Sequence, residues 1–324
     1  MNKGQFIDLC NTWAGAGIPF LFLIDYEMEE FQILDPGEAA RQGIFYSMKN
    51  RENGFPEDGS FTKNFRFEKD PVPIEKYETA FSLVKRHIIH GNSFLLNLTF
   101  PTILNTDLTL ETIFKHSRAP YKLYYRDRFV VFSPECFIKI KDDHIFSYPM
   151  KGTIDAGIPD AEKKLLENEK EIWEHNTIVD LIRNDLSMVA RDVRVSRFRY
   201  VDKIPTFKKE LLQVSSEISG KLAPDWREHL GNLLLTLLPA GSISGAPKPK
   251  TLEIIEEAEG EKRGFFTGIF GVYDGFQLDS AVMIRYIENT RGGLQFRSGG
   301  GITGHSDLHS EYNEMIEKVY VPIV

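Results

Sequence analysis

Two pairs of glutamates, each three residues apart, are the part of this sequence best suited to chemistry. Glu171 and Glu174 open the segment KEIWEHNTIVDLIRND (170–185), and Glu311 and Glu314 lie in HSEYNEMIEKVY (309–320), with Lys318 one turn further on. Residues three apart share a helix face, so each pair would aim two carboxylates in one direction. Two such faces turned toward each other make the oxygen-rich half-shell that Mg²⁺ prefers, usually completed by an anionic substrate. Spacing alone favours a blander alternative, a solvated helix face, because E-x-x-E is common there.

Groups that could meet an anion accompany the glutamates. The loop Pro239–Lys248, PAGSISGAPK, fails the phosphate-loop spacing, since no Ser or Thr follows its lysine. Its glycines still let backbone amides approach a negative charge at the start of the next helix, and a simple tight turn accounts for them equally well. Gly299, Gly300 and Gly301 in SGGGI offer a second nest of N–H groups. Arg285, after the strand-like Ala281–Ile284, could clamp a carboxylate through two parallel hydrogen bonds. Taken alone, Glu135 after Pro134 reads as a solvated carboxylate in a turn, and Lys151 beside Gly152 as a loop lysine.

The elements that must position these groups alternate without a βαβ rhythm, which predicts an α+β fold. Ile18–Ile24 is an apolar run too short to span a bilayer, interrupted by Pro19 and followed by acidic residues in place of a small-residue cleavage site; it reads as a buried strand. Phe31–Leu34 can pair with it, and Ser47–Lys69 reads as a long loop or boundary. Ile74–Ile89 predicts a helix closed by Gly91-Asn92, followed by strands over 93–99, 121–132, 137–140 and 144–148. Residues 160–188 are helical, with Ile172, Val179 and Ile182 as the buried stripe, then a strand over 193–200 and helices over 225–238 and 249–259.

With 324 residues, 42% hydrophobic and 27% charged, the chain can bury a large core as one big domain or two smaller ones. Its net charge of −8 argues against an electrostatic nucleic-acid binder. Cys10 and Cys136 are far apart and outside any C-x-x-C pattern, which points away from disulfides and zinc and toward a reducing cytoplasm.

Glu135 in SPECF, Lys151 in PMKGT, the EIWEHNTIVDLIRND helix, PAGSISGAPK, GIFGVYDG, MIRY, SGGGI and EYNEMIEK occur in one order. Together they resemble the chorismate-binding enzymes, a family that includes anthranilate, aminodeoxychorismate, isochorismate and salicylate synthases. The resemblance runs from about Ile74 to the C-terminus. It implies a single catalytic domain over 1–324, with 74–324 as the core and 1–73 as a shortened N-terminal part, folded as a four-layer α/β/β/α sandwich. It implies Mg²⁺ held by Glu174 and Glu314, with Glu171 and Glu311 assisting. Arg285, Gly299, Gly300, Gly301 and Lys318 would bind substrate, as would Ser244, Gly245 and Gly268 of PAGSISGAPK and GIFGVYDG.

Lys151 stands where the resemblance places the nucleophile of aminodeoxychorismate synthases, and Glu135 where it places the general acid. The implied activity is that of component I, converting chorismate and ammonia to 4-amino-4-deoxychorismate for 4-aminobenzoate and folate synthesis. The implied partner is a glutamine amidotransferase, since this chain carries no glutaminase signature. Anthranilate synthase component I is the close alternative, and a non-catalytic chorismate- or amidotransferase-binding paralogue is one of another class. The sequence departs from the pattern at Leu95, where amine-transferring relatives carry glutamine, at Gln213, where histidine is usual, and at Tyr286 in place of threonine. The short N-terminal part argues against feedback by tryptophan.

Overall fold

The computed structural model describes residues 1–49, 51–55, 64–205 and 210–323. The chain opens with α1 (Lys3–Gly15), β1 (Phe20–Ile24), β2 (Phe31–Leu34), α2 (Pro36–Arg41), β3 (Ile44–Met48), β4 (Arg51–Glu52) and β5 (Phe67–Pro71). There follow α3 (Ile74–Ile89), β6 (Leu95–Thr106), α4 (Leu110–His116), β7 (Tyr121–Tyr125), β8 (Phe129–Ser133), β9 (Cys136–Lys141), β10 (His144–Ser147) and β11 (Met150–Asp155). The middle comprises α5 (Ala161–Glu167), α6 (Glu169–Ser187), β12 (Arg191–Pro205), β13 (Glu210–Lys221) and α7 (Leu230–Leu237). The chain closes with β14 (Gly245–Ala246), α8 (Lys248–Glu259), β15 (Ile269–Tyr273), β16 (Leu278–Val282), β17 (Tyr286–Thr290), β18 (Gly293–Ile302) and α9 (Leu308–Glu317).

Among the described residues the strands form two antiparallel sheets. The first runs β11-β13-β10-β9-β16-β15-β1-β2, with β12 also on β13; the second runs β14-β6-β18-β17-β8-β7-β3-β4, with β5 also on β6. Strand β1 shows why the layers stack as they do. All five of its residues are buried. Phe20, Phe22 and Ile24 pack with α1, α6 and α7, whereas Leu21 and Leu23 pack with Tyr46, Leu123, Val131 and Tyr286 of the second sheet. A strand covered on both faces has no reason to alternate with polar residues, which is why IPFLFLI is apolar throughout. The outer face of the second sheet is covered by α4 at one end and by α3, α8 and α9 at the other. This is the four-layer α/β/β/α sandwich. No described helix is long and apolar enough to cross a membrane.

Several expected elements differ. The helical stretch 160–188 breaks at Asn168, which ends α5 and caps α6 by accepting from the Glu171 N–H. The helix over 225–238 is a 3₁₀ turn at Trp226–His229 followed by α7. The strand expected to reach Ile284 stops at Val282, because the chain leaves the first sheet there and enters the second at Tyr286. Part of the expected 47–69 loop is ordered as β4 and β5, while residues 50 and 56–63 lie outside the described residues. The N-terminal 73 residues contribute strands to both sheets.

Candidate active site between the two sheets

Helix α6 enters the cleft with its first turns. Asn168 fixes its start, and the buried stripe His175, Ile178, Val179, Ile182 and Leu186 lays it on the first sheet. Ile172, expected in that stripe, is only half-buried, in the first turn of the helix. Glu171 is set over Gly152 and Glu174 against Lys151, both of β11, while Trp173 faces solvent, 71% exposed. Helix α9 meets them from the other side. Asp307 caps it through the Ser310 N–H, and Met315 buries its apolar face, which carries Glu311 inward to 2% exposure.

The floor is glycine. A Cβ on Gly300 would lie 3.3 Å from Glu311 Oε2, 3.6 Å from Glu314 Oε1 and 3.7 Å from Lys318 Nζ. A Cβ on Gly301 would lie 3.0 Å from Leu95 Cδ1 and 3.8 Å from Lys151 Nζ, and one on Gly152 3.2 Å from Glu171 Oε2. A side chain at any of these positions would fill the space on which the charged groups converge. Gly299, Gly300 and Gly301 are therefore brought to the site, but as part of β18 paired with Thr99, Leu98 and Asn97 of β6. The expected nest of bare amides is a strand, and much of its hydrogen bonding belongs to the ladder.

The charges are paired in a way that spacing did not reveal. Lys151 Nζ lies 3.3 Å from Glu174 Oε2, Lys318 Nζ donates to Glu314 Oε1 and to the Gly299 carbonyl at 2.8 Å each, and Lys170 Nζ is 3.2 Å from Glu311 Oε1 and 3.8 Å from Glu174 Oε1. Burial and the neighbouring Glu174 raise the Glu171 carboxyl above its ordinary range. Burial would do the same to Glu314, but the Lys318, Lys170 and Lys151 ammoniums outweigh it and hold that carboxyl below its usual value. Among the described residues, no three acidic, imidazole or thiol groups already stand as ligands around one ion. The four carboxylates face one cleft, with ammonium groups among them. The donor set fits a hard divalent cation, since all four are carboxylate oxygens and the Gly300 floor leaves room beneath two of them.

Glu135 follows β8, and Ser242 Oγ donates to its Oε1 at 2.5 Å. Burial pushes its carboxyl above the ordinary range, against the pull of Ser242, Lys151 and Lys318. Arg285 sits in the crossover between sheets with φ 53°, its guanidinium donating to the Lys318 carbonyl and lying 4.7 Å from the Tyr320 ring. Leu95, 4% exposed, stands as an apolar wall beside Lys151.

The loop 239–248 contains the tight turn that was one of its two readings. Ser244 is fully buried with its hydroxyl on the Ala240 carbonyl, and the Ile243 and Ser244 N–H groups close a turn on the same carbonyl. Gly245 is there for close approach: its Cβ would lie 1.9 Å from the Leu95 carbonyl oxygen. Gly268 is likewise pressed against the backbone of Ile24 and Asp25, and its carbonyl accepts from the Met283 N–H. The structure gives Ser244 and Gly268 packing roles, and Ser242 is the residue of the loop that touches a candidate catalytic group.

Sequence reading missed Ser242, Lys170, His175 and Arg263. For Lys170 a signal existed, an i,i+4 pairing with Glu174. His175, 1% exposed, shares a 2.7 Å hydrogen bond with Ser216 Oγ, and Ser216 N donates to the Pro149 carbonyl just before β11. Burial, with Arg199 and Lys151 nearby, lowers its pKa from 6.5 to about 4. The folded state thus disfavours the protonated ring, so stability is full above pH 6.5 and is lost as pH falls toward 4, by roughly 3 kcal/mol at most. Urea unfolding at pH 7 and pH 4.5 should show this loss in the wild type and a shallower one in His175→Gln; equal losses would locate the acid sensitivity elsewhere.

Comparison with known proteins places this geometry in context. The family model described as chorismate binding enzyme matches residues 23–323. An uncharacterized PabA-like protein of Pasteurella multocida is 52% identical over 323 residues, covering 100% of both chains. The aminodeoxychorismate synthase component 1 of Salmonella typhimurium is 31% identical over 260 residues, covering 75% of this chain and 56% of that one. The crystal structure of anthranilate synthase component I from Streptococcus pneumoniae superposes with a TM-score of 0.63 at 26% identity, over 78% of this chain and 58% of that one. The chain thus spans little more than half the length of these last two relatives.

Proposed function

We propose that this chain, which belongs to the chorismate-binding enzyme family, is an aminodeoxychorismate synthase component I that forms 4-amino-4-deoxychorismate from chorismate and ammonia. The observation that carries the reading is the placement of Lys151. Its amine projects over Gly301 between Leu95 and Glu174, in the cleft that also holds Glu135. Arg285 and Lys318, side by side at the end of α9, supply positive charge for the two carboxylates of the substrate. Mg²⁺ would be held by Glu174 and Glu314, with Glu171 and Glu311 in support, and when bound would supply positive charge to the ring carboxylate.

The chain's own groups divide the work as follows. Glu135, whose carboxyl burial pushes above the ordinary range, is the group placed to give the C4 hydroxyl the proton it needs in order to leave as water. Lys151, once it has released a proton, bonds through Nζ to C2 as both ring double bonds shift one place and the C4–O bond breaks. Ammonia then bonds to C4, the C2–Nζ bond breaks, and the proton lost from the incoming nitrogen returns to Glu135. Leu95 offers no hydrogen bond that would hold a water ready to compete. Ammonia would come from a glutamine amidotransferase subunit, a partner suggested by the name of the Pasteurella relative and by the lack of a glutaminase signature here. Two free buried cysteines suit a reducing cytoplasm. Residues 1–73 and 74–324 act as one catalytic domain, since both sheets need strands from each.

A second reading, anthranilate synthase component I, draws on the Streptococcus structure, whereas Leu95, which replaces the glutamine of amine-transferring relatives, speaks for a binding protein without catalysis. One incubation separates them: pure protein with chorismate, Mg²⁺ and ammonium, products identified by mass and fluorescence with and without an added aminodeoxychorismate lyase. Aminodeoxychorismate that becomes 4-aminobenzoate only with the lyase is the expected result. Anthranilate without the lyase would select the second reading, and unchanged chorismate a binding protein without catalysis.

A further inference from the structure

We propose that Lys170 is a built-in counter-cation, occupying the divalent-ion position of the glutamate cluster while no ion is bound and giving it up when one enters. This rests on the reading of the cluster as a magnesium site. Lys170 Nζ stands between the two helices, 3.2 Å from Glu311 Oε1 on α9 and 3.8 Å from Glu174 Oε1 on its own α6. Those oxygens belong to carboxylates the reading gives to the metal. The ammonium therefore occupies the place where the site most needs positive charge.

Burial explains why such an occupant is needed. Glu311 is only 2% exposed, and a carboxylate withdrawn from water is strongly unfavourable without a cation beside it. In the same cleft Lys151 is taken by Glu174 Oε2, and Lys318 by Glu314 and the Gly299 carbonyl, so Lys170 is the lysine in contact with Glu311. It is also the one built to leave. Its side chain is 45% exposed, against 25% for Lys151 and 34% for Lys318, and four rotatable bonds carry Nζ into solvent with no movement of α6.

Two cations cannot share Glu174 Oε1 and Glu311 Oε1 at contact distance. A divalent ion brings twice the charge of the ammonium, which lets it win once its concentration is sufficient. Apparent metal affinity is then the intrinsic affinity reduced by the fraction of molecules in which Lys170 has already swung out.

The test titrates the full chain with Mn²⁺ in 0.5 M KCl, following free Mn²⁺ by electron paramagnetic resonance, in wild type, Lys170→Gln and Lys170→Arg. High salt screens the general field of a removed charge, so that a difference surviving it reports occupation at contact. Lys170→Gln is expected to bind Mn²⁺ about tenfold more tightly than wild type, and Lys170→Arg within about twofold of it. Melting adds an independent readout. With EDTA present Lys170→Gln should melt below wild type, because Glu311 has lost its partner, and saturating Mn²⁺ should close that gap. Equal or weaker Mn²⁺ binding by Lys170→Gln, with wild type binding normally, would overturn the role of Lys170 alone. A wild type that binds no Mn²⁺ with or without chorismate would instead overturn the magnesium reading and this inference together.

Discussion

Replacing Lys151 with alanine is expected to lower turnover of chorismate and ammonia on the order of 10³-fold or more, because it removes the group that forms the covalent intermediate. The same change should abolish any protein–substrate adduct seen by intact mass after quenching with acid. The fold should tolerate it: Lys151 is a quarter exposed and its one ion pair is with Glu174, which keeps Lys170 at 3.8 Å. Near-normal melting with lost turnover and lost adduct is therefore the signature sought. An adduct of undiminished yield in Lys151→Ala would exclude this lysine as the attachment point. Retained turnover would mean that ammonia reaches C4 without prior addition of an amine at C2.

The second large effect concerns stability. Arg263 and Glu259 are each 1% exposed and joined by two hydrogen bonds, Nε to Oε2 at 2.8 Å and a terminal nitrogen to Oε1 at 2.6 Å. The guanidinium also donates to the Ile243 carbonyl of the 239–248 loop and the Asn97 carbonyl of β6, while Glu259 accepts from the Thr99 N–H and hydroxyl. One buried pair thus ties α8, β6 and the loop carrying Ser242. Arg263→Met should cost about 3–5 kcal/mol in urea unfolding, because it strands a buried carboxylate. Adding Glu259→Leu should recover part of that loss by removing the stranded charge. A single-variant cost below about 1 kcal/mol would show that water reaches Glu259 and that the pair is not sealed.

The helix that carries Glu171 and Glu174 was readable from local pattern, since its apolar residues recur at helical spacing and Asn168 is a good cap. Its inward face also takes in His175, which the apolar spacing does not mark; buried with a hydrogen-bond partner and a depressed pKa, it behaves as part of the core. The SGGGI glycines were recognised as special but for the wrong reason. A glycine run signals that no side chain is tolerated, and the sequence does not say whether a turn or a neighbour forbids it. Here the neighbour is strand β6 at Gly299, whose Cβ would lie 2.1 Å from the Leu98 carbonyl oxygen, while at Gly300 the open space is shared with Glu311, Glu314 and Lys318. PAGSISGAPK contains the tight turn that was one of its two readings, but Gly245 answers to the Leu95 carbonyl, a contact 150 residues away in sequence, so the spacing of the loop held no trace of it.

The sequence by itself determined many of the helices and strands, among them the buried strand within Ile18–Ile24 and the helix bearing Glu171 and Glu174, and which residue types were available for chemistry. Those follow from periodicity and burial, which act over a few neighbouring residues. The tertiary structure alone decided which charge meets which. Lys170 lies against Glu311 from a helix 141 positions later, and Arg263 reaches Asn97 across 166. Coulombic and hydrogen-bond partners are set by distance through space, a quantity fixed only when two sheets and their covering helices have packed.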